Sequence, residues 1–209
     1  MANISDFLVI CIPTPDEKTD IYSMDTVYTV ADIIKKSKII VSSNKFGVLN
    51  ARNVIVEKLK NTMNELKIEH SDIVRLLWLD SDIRIITKAE DVAKELMFAD
   101  RMHLNIVANY HALWTENKIV STIEKPIDDG VYQTLSQEEL DKFKKEPYLP
   151  RGYVAGLGFY YGDFDINYKF ELNKYGEDVN FYRYMYDKYP DYKLTLSNIE
   201  LKHIKLVPI

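Results

Sequence analysis

The sequence has a single cysteine, Cys11, so no disulfide can form within the chain. Cys11 lies in the apolar run from Phe7 to Ile12, where a buried and unreactive thiol is expected. No apolar run approaches the roughly 20 residues that a helix needs to cross a bilayer. The N-terminus also lacks the basic segment and long apolar stretch of a secretory signal. These absences predict a protein without a transmembrane segment, located in the reducing cytoplasm.

The chain also lacks an excess of positive charge. It has 27 lysines and arginines against 32 aspartates and glutamates, which gives a formal net charge of −5. Proteins that bind along a phosphate backbone normally have a basic surplus, so the composition argues against a nucleic-acid partner. Tyrosine is abundant, with 15 residues. Where tyrosines recur along one predicted helix, we interpret them as packing or a partner surface rather than as a ligand site.

The first half of the chain alternates short apolar runs with amphipathic segments. The runs at 7–12, 38–42 and 74–79 predict buried strands, and the segments between them have apolar residues at helical spacing. A predicted helix near 88–101 and a strand at 105–110 follow. This order is typical of a parallel sheet with helices on both faces.

The second half of the chain is less regular. Residues 128–150 are polar and include a helix start at Ser136, so we interpret them as an excursion or lid. The remaining features are a glycine cluster at 152–162, a helix at about 177–189, and strand-like runs at 193–196 and 202–207.

Two carboxylates follow the most apolar predicted strand. Leu76 to Leu79 form its last four residues, and Asp80-Ser81-Asp82 comes directly after them. Ligands of open α/β sheets bind where such strands end. Two neighbouring carboxylates repel each other unless a cation lies between them, and Mg²⁺ or Mn²⁺ would suit their oxygen ligands. The alternative is that Asp80 and Asp82 only stabilise the turn that follows.

Four motifs in a fixed order resemble those of GT-A glycosyltransferases, in particular small, metal-dependent, family-2-like members. They are Asp80-Ser81-Asp82, the glycine-rich segment from Gly152 to Gly158, Gly176-Glu177-Asp178, and His203. Ala51-Arg52-Asn53 also resembles the segment that precedes the Asp-x-Asp strand in that family. The resemblance implies a Rossmann-like α/β fold, with a mixed, mainly parallel sheet flanked by helices. It covers one domain, 1–209.

The resemblance implies that residues 1–110 form the nucleotide-binding half. Pro13 and Thr14 would lie against the nucleobase, Arg52 would reach the diphosphate, and Asp80 would hold the ribose or a metal-bound water. The alternatives are a stiff surface turn at Pro13 and Thr14, and a solvated helix-end arginine paired with an acid. Asp80, Asp82 and His203 would bind the cofactor, Mn²⁺ or Mg²⁺. An exposed histidine on an edge strand is the alternative for His203.

Residues 111–209 would then form the acceptor-side half. Gly156 and Gly158 would let the backbone approach a ligand, although a bulged hairpin is an alternative. Glu177 would bind the acceptor or orient the loop, and Asp178 would be the general base of an inverting reaction. Acidic residues in the first turn of a helix are also favoured by the helix dipole, without any functional role.

The resemblance predicts an enzyme that transfers a sugar from a UDP- or GDP-sugar donor to a hydroxyl acceptor, which the sequence does not identify. One alternative is a nucleotidyltransferase of the same fold. Such enzymes usually have glycine and a basic residue after the first strand, where this chain has Pro13-Thr14-Pro15-Asp16. The other is a binding or structural protein that has lost its activity. The compact chain would also suit a viral gene, in which case the location would be the host cytoplasm.

Overall fold

The structure of the protein is a computed structural model. It describes residues 2–14, 23–43, 47–115, 118–122, 133–134, 157–171, 177–192 and 194–204. Within these ranges, only the backbone is described for residues 48, 109–122, 133–134, 179, 196 and 202–204. No helix in these ranges is long and apolar enough to cross a membrane.

The described strands and helices alternate along the first half of the chain, as the sequence predicts. The strands are β1 (Phe7–Pro13), β2 (Ser37–Ser43), β3 (Ile73–Leu79), β4 (Ile83–Ile85), β5 (Asn105–Thr115), β6 (Lys118–Thr122), β7 (Gln133–Thr134), β8 (Phe159–Asp165) and β9 (Leu194–Ile204). The helices are α1 (Met24–Ile34), α2 (Val48–Glu65), α3 (Ala89–Met102) and α4 (Glu177–Lys188), with a short 3-10 helix at Ile4–Asp6.

The strands form one mixed sheet in the order β2-β1-β3-β8-β5-β9-β4, with β6 paired to β5 and β7 paired to β9. Strands β1, β2, β3, β5 and β9 run in the same direction, whereas β8 and β4 run opposite to them. The prediction of a mixed, mainly parallel sheet flanked by helices is therefore confirmed. This arrangement is consistent with a Rossmann-like fold.

Strand β1 and the last four residues of β3 are apolar because helices cover both faces of the sheet. Successive side chains of a strand point to opposite faces, so Leu76 and Trp78 of β3 pack with α2 and α4. Leu77 and Leu79 pack on the other face, with α1 and α3. Cys11 is buried in the α2 side of this core, as predicted. Burial raises the pKa of its thiol, which keeps it protonated at neutral pH.

The core beneath α4 is aromatic. Trp78 stacks on Phe164 at 5.5 Å between ring centroids, and Phe164 stacks on Phe181 of α4 at 5.0 Å. Tyr160 and Tyr182 are buried beside them. Packing therefore accounts for these tyrosines.

One prediction for the second half needs correction. The separate strand-like runs at 193–196 and 202–207 are wrong, because β9 continues from Leu194 to Ile204. The polar residues that suggest a break are accommodated within the strand. Ser197 is buried with its hydroxyl accepting from the Ile199 N–H at 3.3 Å, and the β5–β9 register shifts nearby. The glycine cluster also ends inside a strand, since Gly162 lies in β8.

A cluster of charged residues lies near the start of β3, at the opposite end of this strand from Asp80. Arg75 of β3 donates to Asp100 Oδ1 at 2.6 Å and to Asp163 Oδ1 at 3.1 Å, and Lys36 donates to Asp100 Oδ2 at 2.9 Å. Burial opposes ionisation of Asp100, but hydrogen bonds from Tyr161, Lys36 and Arg75 lower its pKa overall. These internal contacts indicate a structural role.

Several predictions lie outside the described residues. They include the helix start at Ser136, the glycines Gly152 and Gly156, and all of the excursion at 128–150 except Gln133 and Thr134. Those two residues form β7, which pairs with Leu196 and Thr195 of β9.

Candidate functional site

The predicted site residues that the structure describes lie at one end of the sheet. Because β1, β2, β3, β5 and β9 run in the same direction, their carboxyl ends meet there, and the amino end of β8 joins them. We call this region the carboxyl end of the sheet. The Asp80 N–H donates to the Gly158 carbonyl at 3.0 Å, so the end of the glycine segment lies against the Asp-x-Asp motif.

The Asp-x-Asp motif forms the tight turn between β3 and β4. The Ile83 N–H donates to the Asp80 carbonyl at 3.2 Å, and Ser81 between them is buried. Asp80 and Asp82 are half-buried. The motif therefore forms a turn, as the alternative interpretation of it requires. It also leaves both carboxylates at the carboxyl end of the sheet, where a ligand would bind.

Ser23 fixes β4 immediately after this turn, which the sequence analysis missed. Its hydroxyl donates to the Ile83 carbonyl at 2.7 Å and accepts from the Ile85 N–H at 2.8 Å. Ser23 is the residue before α1, where serine normally caps the helix, but here its side chain makes no capping bond. The only available signal was a serine just before an apolar periodic segment, and it predicts a cap.

Arg52 joins the Asp-x-Asp turn to the acidic pair of α4. Its Nη2 lies 3.5 Å from Asp80 Oδ1, and its Nη1 donates to Glu177 Oε1 at 2.9 Å and also to Asp178 Oδ1. These contacts bring together residues that are 28, 125 and 126 positions apart in the sequence. We call Arg52, Asp80, Glu177 and Asp178 the Arg52 cluster.

Arg52 lies inside α2 and is buried, with 2% of its side chain exposed. The rings of Trp78 and Phe170 lie against its guanidinium, with centroids 6.0 Å and 5.7 Å from Cζ. Asn53, the next residue, accepts from the Phe170 N–H and donates to the Phe170 carbonyl. The sequence analysis expected either a phosphate contact or a solvated arginine paired with an acid. The arginine is paired with acids, but it is not solvated.

Glu177 and Asp178 begin α4, and the far end of this helix is fixed by a second charged contact. Lys188 donates to Asp165 Oδ2 at 2.7 Å, as does the Tyr189 hydroxyl, and Asp165 itself is fully buried. Acidic residues at the start of a helix and a lysine at its end both complement the helix dipole. The helix dipole alone would therefore explain why two acidic residues begin α4, but it does not explain why both contact Arg52.

Pro13 and Thr14 close the end of β1 against β2. Thr14 is buried, its N–H donates to the Ser43 carbonyl at 2.8 Å, and its hydroxyl donates to the same oxygen at 2.5 Å. Both hydrogen-bond donors of Thr14 are thus engaged within the protein. Pro13 pairs with Ser43 in the parallel register. Pro13 is the last residue of β1 and both residues are buried, so they do not form the stiff surface turn that was the alternative to a nucleobase site.

The backbone of His203 lies close to the Asp-x-Asp turn. In the antiparallel pairing of β4 with β9, His203 is opposite Ile83, the residue that follows Asp82. The side chain of His203 is outside the described part. Among the side chains that are described, no group of three or more histidines, cysteines or acids is arranged to hold a metal ion.

The carboxylates of Asp80 and Asp82 nevertheless fit the expected metal. Mg²⁺ is typically held by one or two protein carboxylates, with waters and substrate phosphates as its other ligands. Both side chains are half-buried at the end of the sheet, where waters and phosphates could complete the ligand set. Asp80, Glu177 and Asp178 share the single guanidinium of Arg52, and with Asp82 these five groups have a formal charge of −3. This excess of negative charge favours binding of a cation.

Comparison with known proteins gives no family assignment. No protein-family model matches the sequence, and no curated protein matches it. The function of the carboxyl end of the sheet therefore has to be argued from its residues and their contacts.

Proposed function

We propose that the protein is a metal-dependent glycosyltransferase of the GT-A type, which transfers a sugar from a nucleoside-diphosphate donor to a hydroxyl acceptor. One observation supports this most strongly. Arg52 joins Asp80 of the Asp-x-Asp motif to Glu177 and Asp178, so two of the motifs that resemble the family meet in one cluster.

The donor would bind at the carboxyl ends of β1 and β3. Asp80 and Asp82 are the residues that would hold a divalent cation, and their half-buried carboxylates remain open to solvent. The cation would neutralise the donor diphosphate and stabilise the charge on the departing nucleoside diphosphate. The rigid end of β1 at Pro13 and Thr14 would support the nucleobase.

The acceptor would bind on the side of α4. The side chain of Asp178 is 24% exposed, so an acceptor hydroxyl can reach its carboxylate. In the proposed step the hydroxyl oxygen attacks the anomeric carbon and the bond from that carbon to the phosphate oxygen breaks. The proton moves to Asp178, and the nucleoside diphosphate leaves with the electron pair. One such displacement inverts the anomeric configuration, which NMR of the product would report.

Calorimetric titration with UDP and GDP, with and without Mn²⁺, tests the donor site. We expect the wild-type protein to bind one of the two nucleotides in a Mn²⁺-dependent manner, and Asp82→Ala to lose this binding. Asp72→Ala is the matched control because Asp72 is exposed just before the opposite end of the same strand. Binding that is equal in Asp82→Ala, or absent from the wild type under every condition, would contradict the proposal.

A further inference from the structure

The proposed reaction assigns no role to Arg52, although Arg52 contacts the other three members of the Arg52 cluster. Its guanidinium contacts two parts of the chain at once. They are the end of β3 through Asp80, and the start of α4 through Glu177 and Asp178. Arg52 itself lies on α2, so the cluster connects two helices and the central strand.

The guanidinium is shielded from any ligand that approaches from solvent. Only 2% of the Arg52 side chain is exposed, whereas the side chains of Asp80, Glu177 and Asp178 are 28%, 22% and 24% exposed. On its inner side, the guanidinium faces the rings of Trp78 and Phe170. A diphosphate would therefore meet the carboxylates first, and it would have to displace them to reach Arg52.

The positive charge of Arg52 holds the carboxylates of Asp80, Glu177 and Asp178 together. Three carboxylates share one guanidinium, and they would repel one another without it. Removing one partner of a buried ion pair is costly because the remaining charges are left without compensation. Without Arg52, repulsion would push the first turn of α4 away from the end of β3.

We propose that Arg52 is a positioning residue, which sets the separation between Asp80 on the donor side and Glu177 and Asp178 on the acceptor side, and that it does not bind the phosphates itself. The terms donor side and acceptor side rest on the proposed function. The coupling between Arg52 and the carboxylates is a property of the fold, and it can be measured whether or not the protein transfers a sugar.

The coupling can be measured by urea unfolding of Arg52→Gln, of the double variant Glu177→Gln/Asp178→Asn, and of the triple variant that combines them. We expect Arg52→Gln to lower the urea midpoint clearly. Removing the two acidic charges in the Arg52→Gln background should raise the midpoint again, since neutral amides no longer repel. Lys169→Gln, a change to an exposed lysine, is the control and should leave the midpoint unchanged. Strictly additive effects would overturn the inference.

The role relative to the phosphates is tested with Arg52→Lys, which keeps the charge but replaces the forked guanidinium by a single ammonium group. We expect Mn²⁺-dependent nucleotide affinity to stay at the wild-type level, while kcat of sugar transfer falls. If Arg52 bound the diphosphate directly, losing one of the paired hydrogen bonds of its guanidinium would weaken nucleotide binding by about tenfold or more.

The two experiments separate failure of this inference from failure of the proposed function. A wild-type protein that binds no nucleotide would contradict the proposed function, and the unfolding experiment would still decide the positioning role. Normal nucleotide binding together with additive unfolding effects would overturn the positioning role alone.

Discussion

The buried carboxylate of Asp165 gives the most quantitative prediction, through the change Asp165→Asn. Its side chain is 0% exposed. It accepts hydrogen bonds from Lys188 and Tyr189 at 2.7 Å, from the Tyr184 hydroxyl, and from the Asn167 N–H at 2.8 Å. Asparagine has nearly the same shape, but it has no charge and one acceptor oxygen fewer. The variant should therefore fold, with reduced stability.

The magnitude follows from the pKa of Asp165. Burial alone would raise it, but the hydrogen bonds from Lys188, Tyr184 and Tyr189 lower it from 3.8 to about 2. A tenfold difference in proton affinity corresponds to about 1.4 kcal/mol, so the ionised form contributes about 2 kcal/mol to the free energy of unfolding. Because the pKa is lower in the folded state, this contribution is complete above about pH 4. It is lost as the pH falls through about 2.

Urea unfolding of the wild type and Asp165→Asn between pH 7 and pH 2.5 measures this contribution. We expect the variant to be less stable by about 2 kcal/mol at pH 7, and the difference to narrow steadily below about pH 4. Asp187→Asn changes an exposed residue of α4, next to Lys188, and should match the wild type throughout. A stability difference that stays constant from pH 7 to pH 2.5 would refute the reasoning, because the ionised form would then not be its source.

Two further substitutions test the packing of β8 against the start of β5 and the attachment of β4. Gly162→Ala would place Cβ 2.4 Å from Asn105 Oδ1. This overpacking should lower the free energy of unfolding by about 1–3 kcal/mol. An unchanged urea midpoint would show that Asn105 moves aside freely. Ser23→Ala would leave the Ile83 carbonyl and the Ile85 N–H without their hydroxyl partner, at a cost of about 1–3 kcal/mol. Because β4 follows Asp82, Ser23→Ala should also weaken Mn²⁺-dependent nucleotide binding in calorimetry. A wild-type urea midpoint would contradict the first expectation, and wild-type nucleotide binding would contradict the second.

The central part of the fold could be predicted because its signals are local. Leu76 to Leu79 are all buried. A strand that is buried on both faces has a continuous run of apolar residues, which can be recognised in the sequence. The position of Asp80 and Asp82 follows directly from such a strand, because the chain must turn where the apolar run ends. The helices α1, α2 and α3 likewise follow from apolar residues that recur at helical spacing.

The parts that could not be predicted depend on partners distant in sequence. Nothing near Arg52 indicates that it is buried, because the acids that compensate its charge are Asp80, Glu177 and Asp178. The antiparallel direction of β8 is set by pairing with β3 and β5, which its own residues do not specify. The continuity of β9 through Ser197 likewise depends on a register shift against β5.

Each end of α4 forms an ion pair, through an acidic residue at its start and a basic residue at its end. These two ion pairs link the acidic pair to the sheet. At the start of the helix, Asp178 contacts Arg52 of α2, and at its end Lys188 contacts Asp165, the last residue of β8. Strand β8 pairs with β3 along its whole length, and β3 ends at Asp80. The location of Asp178 relative to Asp80 is therefore determined twice, once directly through Arg52 and once through α4, β8 and β3. A catalytic carboxylate needs this kind of support, because small displacements of reacting groups cost large factors in rate.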